Sequence, residues 1–138
     1  MAKPKSKKNA EVFSVPDLFG NLVTLRQQTW VEHIIDPDIG HHPGMAGYEN
    51  LVKDTIQSPY QIKPCTDNNT RFAYCSSPLD GPEGTGIHVL VQMDSVGDLR
   101  KGNLNGTVIT SYDVYPNAKH HKLGTPVYAK PKMKDNGK

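Results

Sequence analysis

A chain of 138 residues, 36% hydrophobic and 22% charged, is long enough for one core and shows no internal repeat. It has no apolar run of bilayer-spanning length and no apolar stretch after its basic N-terminus, which excludes a membrane partner and a secretory signal and reads as soluble. The net charge of +2 hides a partition: four lysines and no acid in residues 1–9, six lysines against one acid in 119–138, and six basic against thirteen acidic residues, a net of −7, in between. Residues 1–12 therefore read as a disordered basic tail, 13–118 as the folded domain and 119–138 as a basic C-terminal tail. Such tails suit a polyanion and also suit plain solvation.

In chain order, Val15 to Asn21 is a turn-rich lead-in and Leu22 to Leu25 a short strand. Arg26 to Ile35 reads as a helix, with Trp30, Val31, Ile34 and Ile35 as its apolar stripe, and Asp36-Pro37 ends it. After the irregular loop Ile39 to Gly44 comes a second amphipathic helix, Ala46 to Gln57, stopped by Ser58-Pro59. Tyr60–Cys65 and Arg71–Cys75 read as a hairpin. The only two cysteines exclude a cysteine-rich scaffold and a four-cysteine zinc site. With Asn68-Asn69 as a two-residue loop, Cys65 would face Phe72 and Cys75 would lie beyond disulfide reach, so two buried free thiols are expected.

A Pro/Gly-rich loop, Ser76 to Gly86, leads to two β-rich runs, Ile87–Met93 and Gly106–Tyr115, joined by Asp94–Asn105. Helices first and antiparallel strands after them indicate an α+β class with the helices on one face of the sheet. In the last strand a period of two places Thr110 and Tyr112 on one face and Ile109 and Ser111 on the other.

The ordered series His33-Ile34, His42-Pro43, Ser58-Pro59-Tyr60-Gln61-Ile62, Arg71-Phe72-Ala73-Tyr74 and Val108-Ile109-Thr110-Ser111-Tyr112 resembles the phage-associated branch of the barnase/EndoU/colicin/RelE-like (BECR) nucleases, over roughly residues 20–115. The resemblance implies an N-terminal helix pair packed on a four-stranded antiparallel sheet. It also implies a metal-independent endoribonuclease, often a toxin, with its site on the exposed sheet face. Gly44 stands where relatives tend to carry an acid after His-Pro, and an extra His41 precedes the pair.

Metal-free RNA cleavage needs a base for the 2′-hydroxyl, an acid for the leaving oxygen and donors for the charge that builds on the phosphate. Histidine, with a pKa near 6.5, suits the first two tasks, and arginine's planar fork suits the third. The resemblance implies catalytic roles for His33, His42, Arg71, Thr110 and Tyr112, with acid and base unassigned. It implies substrate contacts for His41, Tyr74, Ser111, Lys119 and Lys122. No cofactor or metal is expected, since the chain has no His-Glu-x-x-His, Cys-x-x-Cys, phosphate-cradling or nucleophile-elbow motif. The expected partners are RNA and an immunity or antitoxin protein, with action in the cytoplasm after delivery from a phage particle or as a secreted toxin. The competing class is a non-catalytic phage- or toxin-associated binding or structural domain. The charge of −7 opposes RNA binding unless the acids lie away from the site.

Overall fold

Alternating apolar and polar residues make strand the commonest element of this chain. The computed structural model describes residues 10–78, 80–81, 84–114 and 123–131. Its strands are β1 (Glu11–Pro16), β2 (Leu22–Arg26), β3 (Gln61–Cys65), β4 (Asn68–Cys75), β5 (Gly86–Met93), β6 (Asn105–Val114) and β7 (Tyr128–Ala129). Between β2 and β3 lie a π-helical segment, Thr29–Ile35, a 3-10 turn, Pro43–Met45, and helix α1 (Glu49–Gln57). A further 3-10 turn, Leu99–Lys101, precedes β6.

The strands form one sheet in the order β1-β2-β6-β5-β4-β3-β7, antiparallel throughout except for the parallel pair β2–β6. This corrects the expected helix pair on a four-stranded antiparallel sheet: the sheet is mixed and seven-stranded, and the helical segments are short. The reason is non-local. Val12, Phe13 and Val15 pack against the core from β1, which begins inside the segment read as a tail. The parallel pairing joins residues 22–24 to 105–107, a contact that no local pattern expresses. Residues 123–131 run along β3, with Leu123 bridging Cys65, Val127 N donating to Ile62 O and Lys130 N to Tyr60 O.

The first helical segment winds wide. Asp36 N bonds Val31 O, five residues back, in a run whose β-branched Thr29, Val31, Ile34 and Ile35 favour the α-helix poorly. Trp30 and Ile34 are buried all the same, and Trp30 Nε1 donates to Glu49 at 3.2 Å, tying the segment to α1. They meet Val52 and Ile56 of α1, Phe72 and Tyr74 of β4, Ile87, Val89, Val91 and Met93 of β5, and Val108 of β6 in a single core. Each such side chain contributes about 1.5–3 kcal/mol on burial.

A buried polar knot ties the β1–β2 turn to β4 and to the loop before β6. Asp17, in the β1–β2 turn, accepts from Phe19 N, Asn21 N, Asn21 Nδ2 and the Tyr74 hydroxyl, the last at 2.6 Å. Asn21 in turn donates to Leu99 O and accepts from Leu104 N. Gly102 lies against this turn at φ 71°, where a Cβ would collide with Phe19 O, so only glycine fits. Phe19 meets Tyr128 edge to face at 6.0 Å, bringing the first turn onto the last strand. Among the described residues no helix is long and apolar enough to cross a membrane.

Candidate active site

A β-bulge in β6 creates the site. Gly106 and Val108 point into the core, and strict alternation would send Thr110 and Tyr112 there as well. Instead Val108 pairs with Val91 and Thr110 with Leu90, leaving Ile109 as the extra residue. The phase flips at that point. Ser111 takes the core side, fully buried with its hydroxyl donating to His88 O at 3.0 Å, while Thr110 and Tyr112 turn to the outer face with His88, Leu90 and Gln92.

The loop after the π-helical segment delivers the histidines. His41 N donates to His33 O at 2.9 Å and His42 N to Ile34 O at 2.8 Å, so the loop folds back on the segment that precedes it. Asp36 shapes the turn by accepting from Asp38 N and Ile39 N. At Gly40 the chain passes so close that a Cβ would lie 2.7 Å from Asp36 N, Asp36 O and Ile34 O. Pro43 then starts the 3-10 turn whose Met45 is fully buried and anchors the loop.

These two devices put His33, His41, His42, Ile109 and Thr110 around one open cleft of about 250 Å³. His41 and His42 have ring centroids 6.2 Å apart. Tyr112 lies between two imidazoles, 5.3 Å from His42 and 5.7 Å from His88. Burial, and then the charge of His41, hold His42 below the usual histidine pKa, against an opposing pull from Asp113. Burial, with Cys65 and Cys75 nearby, raises the Tyr112 phenol, which stays a hydrogen-bond donor at neutral pH. Among the described residues no three histidine, cysteine or carboxylate groups are disposed to hold a metal ion.

No family model, curated protein or solved structure matches this chain. Chemical function is therefore argued from the cleft alone.

Of the sequence-derived candidates, His33, His41, His42 and Thr110 line the cleft and Tyr112 adjoins it. Arg71 does not line it: its Nε donates to Gln92 Oε1 at 3.1 Å, in a cluster with Asn68 and Thr70. Tyr74 is in the core with its hydroxyl on Asp17, and Ser111 is buried on the same side, so neither faces the cleft. Lys119 and Lys122 lie outside the described residues. His88 was not singled out from sequence, although its place opposite Tyr112 follows once the β5–β6 register is known. Cys65 and Cys75 are buried free thiols, as expected from their spacing, although the turn is Thr66-Asp67, with Cys65 opposite Asn68 and Cys75 opposite Gln61. Burial pushes the Cys75 thiol up to about 11 and raises Cys65 as well, so both are inert as nucleophiles.

Proposed function

We propose that this protein is a metal-independent endoribonuclease of toxin type, which cleaves RNA through attack of a 2′-hydroxyl on the adjacent phosphate. The observation that carries this reading is the convergence of three imidazoles and the Thr110 hydroxyl on one open cleft, with Tyr112 against His42. His42, held neutral, takes the 2′ proton as the 2′ oxygen bonds to phosphorus. A protonated His33 or His41 gives its proton to the 5′ oxygen as the P–O5′ bond breaks, leaving a 2′,3′-cyclic phosphate and a 5′-hydroxyl. Thr110 and Tyr112 donate to the phosphate oxygens as charge builds there. The ordered motifs that resemble the phage-associated BECR nucleases support the same chemistry. An RNA substrate implies action in a cytoplasm and a neutralising immunity or antitoxin partner.

The test is cleavage of total RNA with chelator present, comparing the native chain with His42→Ala, His33→Ala and Tyr112→Phe, with product ends assayed for cyclic phosphate. Chelator-resistant cleavage that leaves cyclic phosphate and drops about 100-fold or more in His42→Ala is the expected result. A folded protein that leaves RNA intact refutes the proposal. The second reading, a non-catalytic binding domain, is favoured by the position of Arg71: among the described residues lining the cleft, only imidazoles can carry positive charge.

A further inference from the structure

Strand β2 ends at Arg26, the residue from which the sequence predicts a helix, and it ends beside the cleft. Alternation sends Val23 and Leu25 into the core, where both are fully buried, and Leu22, Thr24 and Arg26 to the outer face. The Ser14–Thr24 hydroxyl bond lies exposed on that face, and Arg26 is exposed as well. β2 runs parallel to β6 with Thr24 beside Thr107, so two residues further along each strand Arg26 comes beside Ile109, about 5 Å away by strand spacing. Ile109 is the bulge residue and a wall of the cleft, and Thr110 follows it there. Thr24, Thr107, Ile109 and Thr110, the residues around Arg26 on this face, are all half exposed. The way from Arg26 into the cleft is therefore open.

The charge of Arg26 is not spent on a neighbour. Among the described residues the one salt bridge joins Arg100 to Asp98, so Arg26 is ion-paired neither with Glu11, its partner across the β1–β2 ladder, nor with another described acid. Its planar fork matches two oxygens of a phosphate and stays charged at any working pH. The cleft lacks such a group: its described lining residues carry charge only on imidazoles, while an RNA strand brings one negative charge with every nucleotide.

We infer that Arg26 binds a second phosphate of the RNA, the one next to the scissile phosphate, and so makes a strand with at least two phosphates the preferred substrate. This rests on the RNA-cleaving reading of the cleft and extends it. Arg26 flanks the lining of the cleft rather than belonging to it, so its contact is made equally in the bound substrate and in the transition state. Such uniform binding lowers KM and leaves kcat alone. Arg26 is thus a substrate-binding residue, distinct from His42, Thr110 and Tyr112, which act on the reacting phosphate.

The experiment compares kcat and KM on two substrates: an oligoribonucleotide, and the dinucleoside monophosphate that carries the bases of its cut site but only the scissile phosphate. The proteins are the full chain and its Arg26→Gln, Arg26→Lys and Arg100→Gln variants, each checked for fold by circular dichroism. Arg26→Gln should raise KM for the oligoribonucleotide about tenfold, as expected for one charged hydrogen-bonding contact, with kcat unchanged. On the dinucleoside monophosphate it should match the native chain. Arg26→Lys should recover part of the loss, since it keeps the charge without the fork. Arg100→Gln, on the 3-10 turn beside Asp98, should behave as the native chain on both substrates. A native KM for the oligoribonucleotide in Arg26→Gln overturns the assignment, as does an equal loss on both substrates or a loss confined to kcat. Cleavage by the native chain then leaves the cleft's chemistry standing. If the native chain cuts no RNA, binding of a 2′-O-methyl oligoribonucleotide decides: binding about tenfold weaker in Arg26→Gln supports the phosphate contact and overturns the chemistry, and equal binding overturns both.

Discussion

The imidazole of His42 lies against the phenol ring of Tyr112, with centroids 5.3 Å apart and ring planes inclined by 41°. The contact joins the loop that brings the histidines to the strand that carries the hydroxyls, so the two halves of the cleft are positioned against each other. Tyr112→Phe retains the ring and removes only the donor. Stability should stay within about 0.5 kcal/mol of the native chain, while cleavage falls about 100-fold if the hydroxyl serves the phosphate. Tyr112→Ala should lose about 2 kcal/mol of stability as well. Thermal melts beside single-turnover cleavage separate the two effects.

The pH dependence has a definite sign. Burial and the neighbouring His41 lower the pKa of His42 from 6.5, so its neutral form is favoured by folding. Its contribution to stability is therefore complete above the unfolded value and is lost as pH falls through the lower folded value. The acid limb of the cleavage profile should lie below pH 6.5 for the same reason. Asp113 pulls the other way, so Asp113→Asn should move both the His42 titration, followed by NMR, and the acid limb to still lower pH. A limb that moves upward in Asp113→Asn would contradict the assignment of His42 as the base.

Gly40 and Gly44 form a matched pair on the same loop. A Cβ at Gly40 would meet three backbone atoms at 2.7 Å, whereas at Gly44 it would meet nothing within 4 Å. Gly40→Ala should cost about 2 kcal/mol and displace His41 and His42, lowering cleavage beyond the loss of folded protein. Gly44→Ala should leave the melting temperature unchanged or raise it slightly, by up to about 1 kcal/mol in stability.

Tyr74 offers the reverse control. Its hydroxyl is buried on Asp17, and burial together with that carboxylate raises its pKa far above the ordinary phenol range. Tyr74→Phe leaves Asp17 one donor short and should cost about 1–3 kcal/mol in a denaturant titration. Cleavage per folded molecule should not change, because the ring faces the core rather than the cleft.

Much of the site was legible because it depends on local features. The loop that begins at Asp36-Pro37 and the histidines in it are marked by residue type, and alternation puts Thr110 and Tyr112 on a common face, but the bulge at Ile109 decides which face that is. The sheet was less legible. β1 is a fair alternating strand, but lysines precede it and a turn follows, and only its ladder with β2 and the Ser14–Thr24 hydroxyl bond of 2.9 Å make it visible. Tyr74 and Arg71 show the limit of reading polar residues without a register. They lie three apart on one strand, so they point to opposite faces, one into the knot around Asp17 and the other beside Gln92.

The extra residue at Ile109 divides β6 into two sections that answer to different demands. The first, through Val108, must fit the jigsaw of Val91 and Met93, where Gly106 leaves no room even for a methyl. The second is read by solvent and by whatever enters the cleft. Because the phase is reset between them, substitutions can accumulate in either section without re-registering the other. Excising that single residue would set Thr110 directly after Val108, as Leu90 lies next to Val91, so the ladder would become regular while Thr110, Ser111 and Tyr112 each kept its side of the sheet.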